Sequence, residues 1–270
     1  MTENSSESAL KALTDWWGEM GVDADPAVMK AYLSVAATGA SAPSAPALPQ
    51  GQAAAPRPTR AATDWVAMAS TAAAACNSLA ELSEAIAAYD GSPLKAGCQN
   101  TVVFDGVEGA PVMVIGEGPG ADEDRQGKPF VGRAGQLLDR MLASIGLTRE
   151  TNALITNVNY WRPPQNRNPE TGELAVCRPF VDRMIELTAP KLIIAAGGVP
   201  AKALLNTSTG IMRLRGTERP LQLSGGLQVP LFPVLHPAFL LRRPQEKSRA
   251  WRDLQMIEQR ANALGVDFGR

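Results

Sequence analysis

The fold class follows from one segment of the sequence, Val112-Met113-Val114-Ile115 followed directly by Gly116-Glu117-Gly118-Pro119-Gly120. Four apolar residues that end at a glycine are typical of a short buried strand, and the sequence after this loop has the periodicity of a helix. The alternation continues, with strands predicted over 153–157, 192–196 and 229–235, and helices over 135–145, 173–188, 199–205 and about 246–263. Short buried strands that alternate with helices predict an α/β fold, a three-layer sandwich with a central, mostly parallel four-stranded sheet flanked by helices.

The composition divides the chain into four parts. Residues 1–36 have apolar spacing typical of short helices, whereas 37–60 are almost entirely Ala, Pro, Ser and Gly and indicate a semi-extended linker. Residues 61–96 are predicted to be a helical lead-in, in which Ser78 and Glu81 match a capping box. Residues 97–270 form the main domain.

Charge and composition exclude several classes of protein. The net charge of the whole chain is −1, but residues 1–96 carry −5 and residues 97–270 carry +4. The weakly basic main domain is therefore compatible with a nucleic-acid partner. No apolar run reaches the ~18 residues of a membrane span, and the first residues lack the pattern of a secretion signal. We therefore expect a soluble, cytosolic protein without a membrane partner.

Cysteine and histidine are scarce. Three scattered cysteines do not make a disulfide framework, and His236 is the only histidine. A zinc site needs about four such ligands, so no metal site is expected from these residue types.

In parallel sheets, ligands bind at the carboxyl ends of the strands, so the loops that follow the strands matter most. The first loop, Gly116–Gly120, allows close approach of a ligand to the backbone. Its G-x-G-x-G spacing matches neither nucleotide-binding fingerprint, and three nearby acidic residues would repel a phosphate. A purely structural turn is the alternative.

Three side chains near these loops are candidates for ligand contact. Phe130 lies in a Gly/Pro-rich segment, where an aromatic ring can stack on a planar ligand or simply fill the core. Asn157 ends the second strand and offers the donor and acceptor needed to read a base edge, although Asn also caps turns. His236 follows the fourth strand, where its position favours a functional role over a structural one.

The segment after His236 combines apolar and basic side chains. Leu240 and Leu241 next to Arg242 and Arg243, in a loop that starts at Pro237, have the composition of a wedge that enters DNA while arginines bind phosphates. The alternative is a helix start with ordinary core leucines. The loop after the second strand adds two further basic side chains, Arg162 and Arg167.

Taken together, these loops resemble the uracil-DNA glycosylase superfamily, most closely its family 4, the iron–sulfur type. The resemblance covers about residues 98–262 and makes 97–270 the expected catalytic domain. Four segments match in order: Gly116–Gly120, the GKPFVG segment 127–132 with Ala134-Gly135 after it, Asn157 with the RPPQNR segment 162–167, and the HPAFLLR segment 236–242.

The resemblance implies roles for individual residues. Phe130 is expected to stack on the extruded uracil, Asn157 to pair with its edge, and His236 to donate to uracil O2. Glu117 is expected to support catalysis, and Gly118 to lie against the uracil. Less central roles fall to Glu123 and Asn166 as catalytic assistants and to Pro237, Leu240, Leu241, Arg242, Arg243, Arg162 and Arg167 as DNA contacts.

The activity implied is hydrolysis of the N-glycosidic bond of uracil in DNA, with other deaminated bases left open. The product is an abasic site that initiates base-excision repair. We expect a monomer in the bacterial cytosol or nucleoid, acting on single- or double-stranded DNA without a cofactor. One alternative is a catalytically weak or inactive nucleic-acid binder of the same fold; a nucleotide-dependent enzyme is disfavoured by the failed fingerprints.

Two departures limit the resemblance. Family 4 proteins hold a 4Fe–4S cluster on four cysteines, and here only Cys177 matches. Trp161 occupies the third position, the upstream stretch 91–95 lacks the expected cysteine pair, and Cys98 stands alone, so we predict that no cluster is bound. Gly118 stands where other branches of the superfamily carry Asp or Asn, which leaves the catalytic water to Glu117 or to backbone groups.

Overall fold

The computed structural model describes residues 62–268. The predicted N-terminal helical segment and the whole Ala/Pro-rich linker lie outside the described residues. Within them, six strands form one sheet in the order β1-β3-β2-β4-β6-β5. The strands are β1 (Phe104–Gly106), β2 (Val112–Gly116), β3 (Ala153–Asn157), β4 (Leu192–Ala196), β5 (Arg219–Gln222) and β6 (Gln228–Val234).

The four predicted strands form the parallel centre of this sheet, and two short antiparallel strands flank it. The fold class is therefore confirmed, but the strand count of four is corrected to six. The edge strands β1 and β5 have only three and four residues and are not buried throughout. Neither carries an apolar run, which is the signal that identifies a strand in sequence.

Nine α-helices accompany the sheet within residues 62–268. They are α1 (Ala62–Ala75), α2 (Leu79–Ala88), α3 (Ala121–Gln126), α4 (Arg133–Ala143), α5 (Thr171–Thr188), α6 (Gly198–Leu205), α7 (Ile211–Leu214), α8 (Pro237–Arg242) and α9 (Lys247–Ala263). No helix in this part of the chain combines the length and apolarity that crossing a membrane requires.

Helices cover both faces of the sheet because side chains of each strand alternate between the faces. Met113 and Ile115 pack in the apolar core that includes Phe180 of α5. Val112 and Val114 belong to a second core, completed chiefly by leucines of α4 and by α9. These two cores on opposite faces make the predicted three-layer sandwich.

The lead-in helices α1 and α2 belong to the core on the α5 face. Ser78 caps α2 by accepting a 3.1 Å hydrogen bond from the Glu81 N–H, which is one half of the predicted capping box; the Glu81 carboxylate accepts instead from the Asn77 N–H at 2.6 Å. The Tyr89 hydroxyl donates to the Trp65 carbonyl at 2.8 Å, which ties the end of α2 to α1. Residues 64–89 are thus packed against the domain and are not a detached appendage.

Candidate active site

A cavity of about 460 Å³ opens at the carboxyl ends of the parallel strands, where such sheets bind ligands. The strand register aligns Gly116 with Asn157 and Ala196 with Val234, so the loops that follow these residues meet at one edge. Of the residues predicted to function, the cavity lining contains Glu117, Gly118, Glu123, Phe130, Asn166, Arg167, His236 and Arg242.

Phe130 is buried and lies against the cavity in an unusual backbone conformation. Its φ of 54° is in the left-handed region, which is uncommon for a residue with a side chain. A Cβ at Gly116 would overlap the Phe130 ring, and a Cβ at Gly135 would overlap the Phe130 carbonyl. The glycines on both sides are therefore what allow the ring to lie at the strand ends.

Arg149 holds the segment that carries Phe130, a role that the sequence motifs did not indicate. Its guanidinium donates to the carbonyls of Pro129 (3.1 Å) and Phe130 (2.9 Å). It also contacts Asp105 at 2.9 Å and Asp139 at 2.7 Å. Burial raises the pKa of Asp105, but the hydrogen bonds from Arg149 and Lys128 outweigh it and lower the pKa below its usual range. One cation therefore joins β1, α4 and the Phe130 segment.

Asn157 ends β3 next to Phe130, and its side chain is almost completely buried. A Cβ at Gly116 would overlap the Asn157 Oδ1 as well as the Phe130 ring. Within the described residues, Asn157 Oδ1 has no hydrogen-bond partner. Asn157 is not among the residues that line the cavity, but buried polar groups are nearly always paired, so its unpaired oxygen beside the Phe130 ring is available to a ligand.

His236 is the N-cap of α8, and its Nδ1 accepts a 3.1 Å hydrogen bond from the Ala238 N–H. A neutral ring with an accepting Nδ1 carries its proton on Nε2, which becomes a donor. Burial, aided by nearby Arg242 and opposed by Glu123, lowers the pKa of His236 to about 4. The ring stacks on Phe130 with centroids 5.8 Å apart. At neutral pH the site therefore presents an uncharged donor beside an aromatic face.

Gly197, at the end of β4, makes room for this imidazole. Its φ of 119° is accessible mainly to glycine, and a Cβ there would lie 3.2 Å from His236 Cβ and Cδ2. The loop after the third predicted strand thus contributes to the site by leaving space for His236, because Gly197 has no side chain.

Glu117 of the first loop and Glu123 of α3 differ in their surroundings. Glu117 lines the cavity, and burial raises its pKa above the usual range. Glu123 accepts hydrogen bonds from the N–H groups of Gly120 (3.1 Å), Val131 (3.0 Å) and Gly132 (2.9 Å). Its carboxylate joins the first loop to the segment after Phe130. Glu123 therefore positions these loops, and the catalytic assistance expected of it stays a prediction.

The residues after Asn157 form a hydrogen-bonded rim. Asn166 Oδ1 accepts from Arg162 Nε at 2.7 Å, and Asn166 has a left-handed φ of 54°. Arg167 forms a two-point ion pair with Glu173, at 2.8 and 2.6 Å, and thereby lowers the pKa of that carboxyl. Arg162 and Arg167 therefore shape the rim as well as bringing positive charge to it.

The segment after His236 forms helix α8, which agrees with the alternative interpretation of this segment as a helix start. Leu240 is 1% exposed and packs with Leu137, Leu235 and Ala250. Its side chain, like that of Pro237, is buried in this structure, so a DNA contact by either residue stays a prediction. Leu241, Arg242 and Arg243 are exposed, and the Arg243 guanidinium lies 5.8 Å from the centre of the Phe239 ring.

The residues present do not fit an iron–sulfur cluster. Cys98 Sγ contacts the carbonyl oxygens of Leu94 and Arg162, and burial raises the pKa of the Cys177 thiol to about 12, against the thiolate that iron requires. Trp161 is fully buried, and its Nε1 donates to Thr101 Oγ1 at 3.0 Å. Among residues 62–268 no group of three metal-binding side chains occurs.

Aromatic side chains fill the space around Trp161. The Trp161 ring stacks on Tyr89 at 6.4 Å and lies edge-on to Tyr160 at 6.0 Å. Tyr89 in turn contacts Trp65 and Phe180. This region is therefore held together by apolar packing between the lead-in helices, α5 and the second loop.

Comparison with known proteins agrees with this geometry. The family model of the uracil DNA glycosylase superfamily matches residues 104–255. The chain is 39% identical over 182 residues to the type-4 uracil-DNA glycosylase of Pyrobaculum aerophilum, covering 66% of this chain and 92% of that protein. It is 40% identical to the Archaeoglobus fulgidus protein of the same name (58% and 80% covered) and 37% identical to that of Thermotoga maritima (62% and 85%). This chain belongs to the uracil DNA glycosylase superfamily.

Proposed function

We propose that this protein is a monofunctional uracil-DNA glycosylase, which hydrolyses the bond between uracil and deoxyribose and leaves an abasic site for base-excision repair. The observation that carries the proposal is the arrangement of His236, Phe130 and Asn157. A neutral donor stacks on an aromatic ring, and an unpaired amide adjoins that same ring.

Recognition of the base begins with its extrusion, because the bond to be cleaved cannot be reached inside a stacked duplex. The Phe130 ring offers a face on which the extruded base stacks. Asn157 pairs with the uracil edge, since its amide offers one acceptor and one donor group to the O4 and N3–H pattern. Cytosine reverses that pattern and would leave the buried amide mispaired, which costs binding energy.

His236 acts on the leaving group. As the C1′–N1 bond breaks, its electron pair passes to the uracil ring and negative charge develops on O2. The Nε2–H of a neutral imidazole donates to this oxygen, and a preorganised donor of this kind is worth about 3 kcal/mol. Because the imidazole stays uncharged down to low pH, this donation does not depend on protonation near neutrality.

Glu117 acts on the sugar. Water adds to C1′ as the positive charge there develops, and a carboxylate beside the cavity stabilises that charge or accepts the proton of the water. Gly118 supplies no side chain for this task, and a Cβ there would lie 3.1 Å from Asn159 Nδ2. That glycine is the observation favouring the second candidate, a DNA-binding protein with little or no turnover.

DNA is the partner, and the protein acts on it as a monomer in the bacterial cytosol or nucleoid. The free thiols of Cys76, Cys98 and Cys177 agree with a reducing compartment. Uracil in single or double strands is a substrate, and other deaminated bases remain candidates for the same cavity.

A labelled oligonucleotide with a single uracil tests the proposed function. The purified protein, with no added cofactor, is expected to produce an alkali-sensitive site at that position, and a Glu117→Gln/His236→Ala double variant is not. Tight binding without cleavage by the unaltered protein would favour the second candidate and overturn the first.

A further inference from the structure

Helix α9 follows the cavity rim directly and shows an unusual outer face. Its inner face buries Ala250, Leu254 and Ile257 in the core. On the outer face, Trp251 is 45% exposed, although an indole normally buries most of its surface. Lys247 lies one turn before Trp251, so the two side chains are neighbours on the helix surface. An aromatic ring beside a cation is thus presented to solvent.

Positive charge is concentrated in the same segment. Residues 237–252 contain five basic side chains and one acidic one, Glu246, so their net charge is +4 in a chain whose total is −1. Glu246 pairs with Arg249 at 3.2 Å, and the neighbouring Asp253 is buried in an ion pair with Arg215. Of the five cations in this segment, four form no ion pair with any residue of 62–268, namely Arg242, Arg243, Lys247 and Arg252.

This surface is continuous with the cavity. Arg242 lines the cavity together with His236. Leu240 and Ala250 lie in one apolar cluster, so α8 and the start of α9 are in contact. Leu241 and Trp251 are the next residues along the chain, and both are exposed. A strip of basic and aromatic side chains therefore extends from the cavity rim along the first turns of α9.

We propose that Lys247, Trp251 and Arg252 form a second DNA-contact surface, which binds the strand that flanks the extruded nucleotide. This inference rests on the proposed function, since it assumes that DNA occupies the cavity. Lys247 and Arg252 bind phosphates, while the Trp251 indole stacks on an unpaired base. Aromatic rings set among basic residues are the usual platform for single-stranded nucleic acid, because every base offers a face for stacking. The surface therefore favours single-stranded over duplex substrates.

Binding to fluorescein-labelled oligothymidylate tests the surface independently of uracil chemistry. With an oligomer long enough to pass beyond the cavity, Trp251→Ala should weaken the Kd about tenfold, and Trp251→Phe should keep most of the affinity. Lys247→Gln/Arg252→Gln should reduce the slope of log affinity against log salt by about 1.4, the value for two phosphate contacts on a single strand. Met212→Ala and Lys202→Gln, exposed elsewhere, are the matched controls and should change neither quantity.

The outcomes separate this inference from the proposed function. Weaker oligothymidylate binding by the variants supports the surface, even if the unaltered protein releases no uracil and the proposed function fails. Unchanged affinity and salt slope in both sets of variants would overturn the surface, whether or not uracil is released. A change in the charge variant alone would overturn the stacking role of Trp251.

Discussion

Arg149 Nη2 donates a 2.9 Å hydrogen bond to the carbonyl oxygen of Phe130, whose backbone has a left-handed φ of 54°. That conformation costs about 1–2 kcal/mol for a residue with a Cβ, so it persists only where the surroundings stabilise it. The Arg149 side chain is 12% exposed and lies outside the cavity lining. The aromatic face of the site thus depends on a cation that does not line the cavity.

Replacing Arg149 should therefore affect both stability and substrate affinity. Arg149→Ala removes the donors to Pro129 and Phe130 and leaves Asp105 with Lys128 alone, so we expect about 2 kcal/mol of destabilisation in urea unfolding. The KM for uracil-containing DNA should rise more than kcat falls, because stacking is disturbed while His236 stays in place. Arg149→Lys, which keeps the charge, should restore part of both losses. A variant with an unchanged KM would contradict the positioning role.

Gly135 and Gly172 form a matched pair of helical glycines. A Cβ at Gly135 would overlap the Phe130 carbonyl, whereas a Cβ at Gly172 would meet nothing within 4 Å. Gly135→Ala should destabilise the protein by about 1–3 kcal/mol through overpacking and should lower uracil release. Gly172→Ala should be neutral or stabilise by up to about 1 kcal/mol, since alanine favours helix. If Gly135→Ala and Gly172→Ala changed the denaturant midpoint and uracil release equally, the steric argument would be refuted.

The single histidine makes its protonation state directly measurable. The NMR signals of the one imidazole in this chain should titrate with a pKa of about 4, and at pH 7 they should show the neutral ring with its proton on Nε2. Burial is the main cause, because desolvation disfavours the charged ring. A titration near the usual value of 6.5, or a proton on Nδ1, would remove the proposed donor.

The same pKa predicts how stability depends on pH. The folded-state pKa of His236 lies below its unfolded value, so its contribution is fully present above about pH 6.5 and is lost as pH falls toward 4. The loss is on the order of 3 kcal/mol for a shift of this size. Urea unfolding at pH 7 and pH 4.5 measures it, and His236→Gln should show a correspondingly smaller loss over that interval.

The packing around Trp161 allows a test of the prediction that no iron–sulfur cluster is bound. Purified protein should contain no stoichiometric iron and no visible absorbance band, and chelators should leave its unfolding unchanged. Trp161→Ala should cost about 3–5 kcal/mol, because it empties the centre of an aromatic core. Trp251→Ala, which removes an exposed indole, is the control and should cost far less. Four iron atoms per protein molecule would contradict the prediction that no cluster is bound.

The sequence alone was sufficient to predict the central strands and the loops that follow them. Val112–Ile115 and Leu192–Ala196 are uninterrupted apolar runs, and their short length together with the glycine after each one favours a buried strand over a helix. The edge strands β1 and β5 carry no comparable signal. Their pairing is decided by the neighbouring strand, which local sequence does not specify.

Within the site, the sequence located the loops better than it assigned their roles. Arg149 belongs to no motif, and its partner Asp105 is 44 positions away, so only the fold brings them together. The resemblance gave Glu123 a catalytic part, but no motif indicated that its carboxylate accepts hydrogen bonds from three backbone N–H groups. Leu240 and Leu241 are adjacent in the chain, and the helical geometry of α8 decides which of them is buried.

The role of His236 is tested most directly by comparing uracil release and DNA binding in His236→Ala under single-turnover conditions. We expect the rate of uracil release to fall by about 100- to 1000-fold, as for the loss of a preorganised donor, while Kd for the same oligonucleotide stays nearly unchanged. Equal losses of rate and affinity, or a rate close to that of the unaltered protein, would contradict the role of His236 as the donor to the departing uracil.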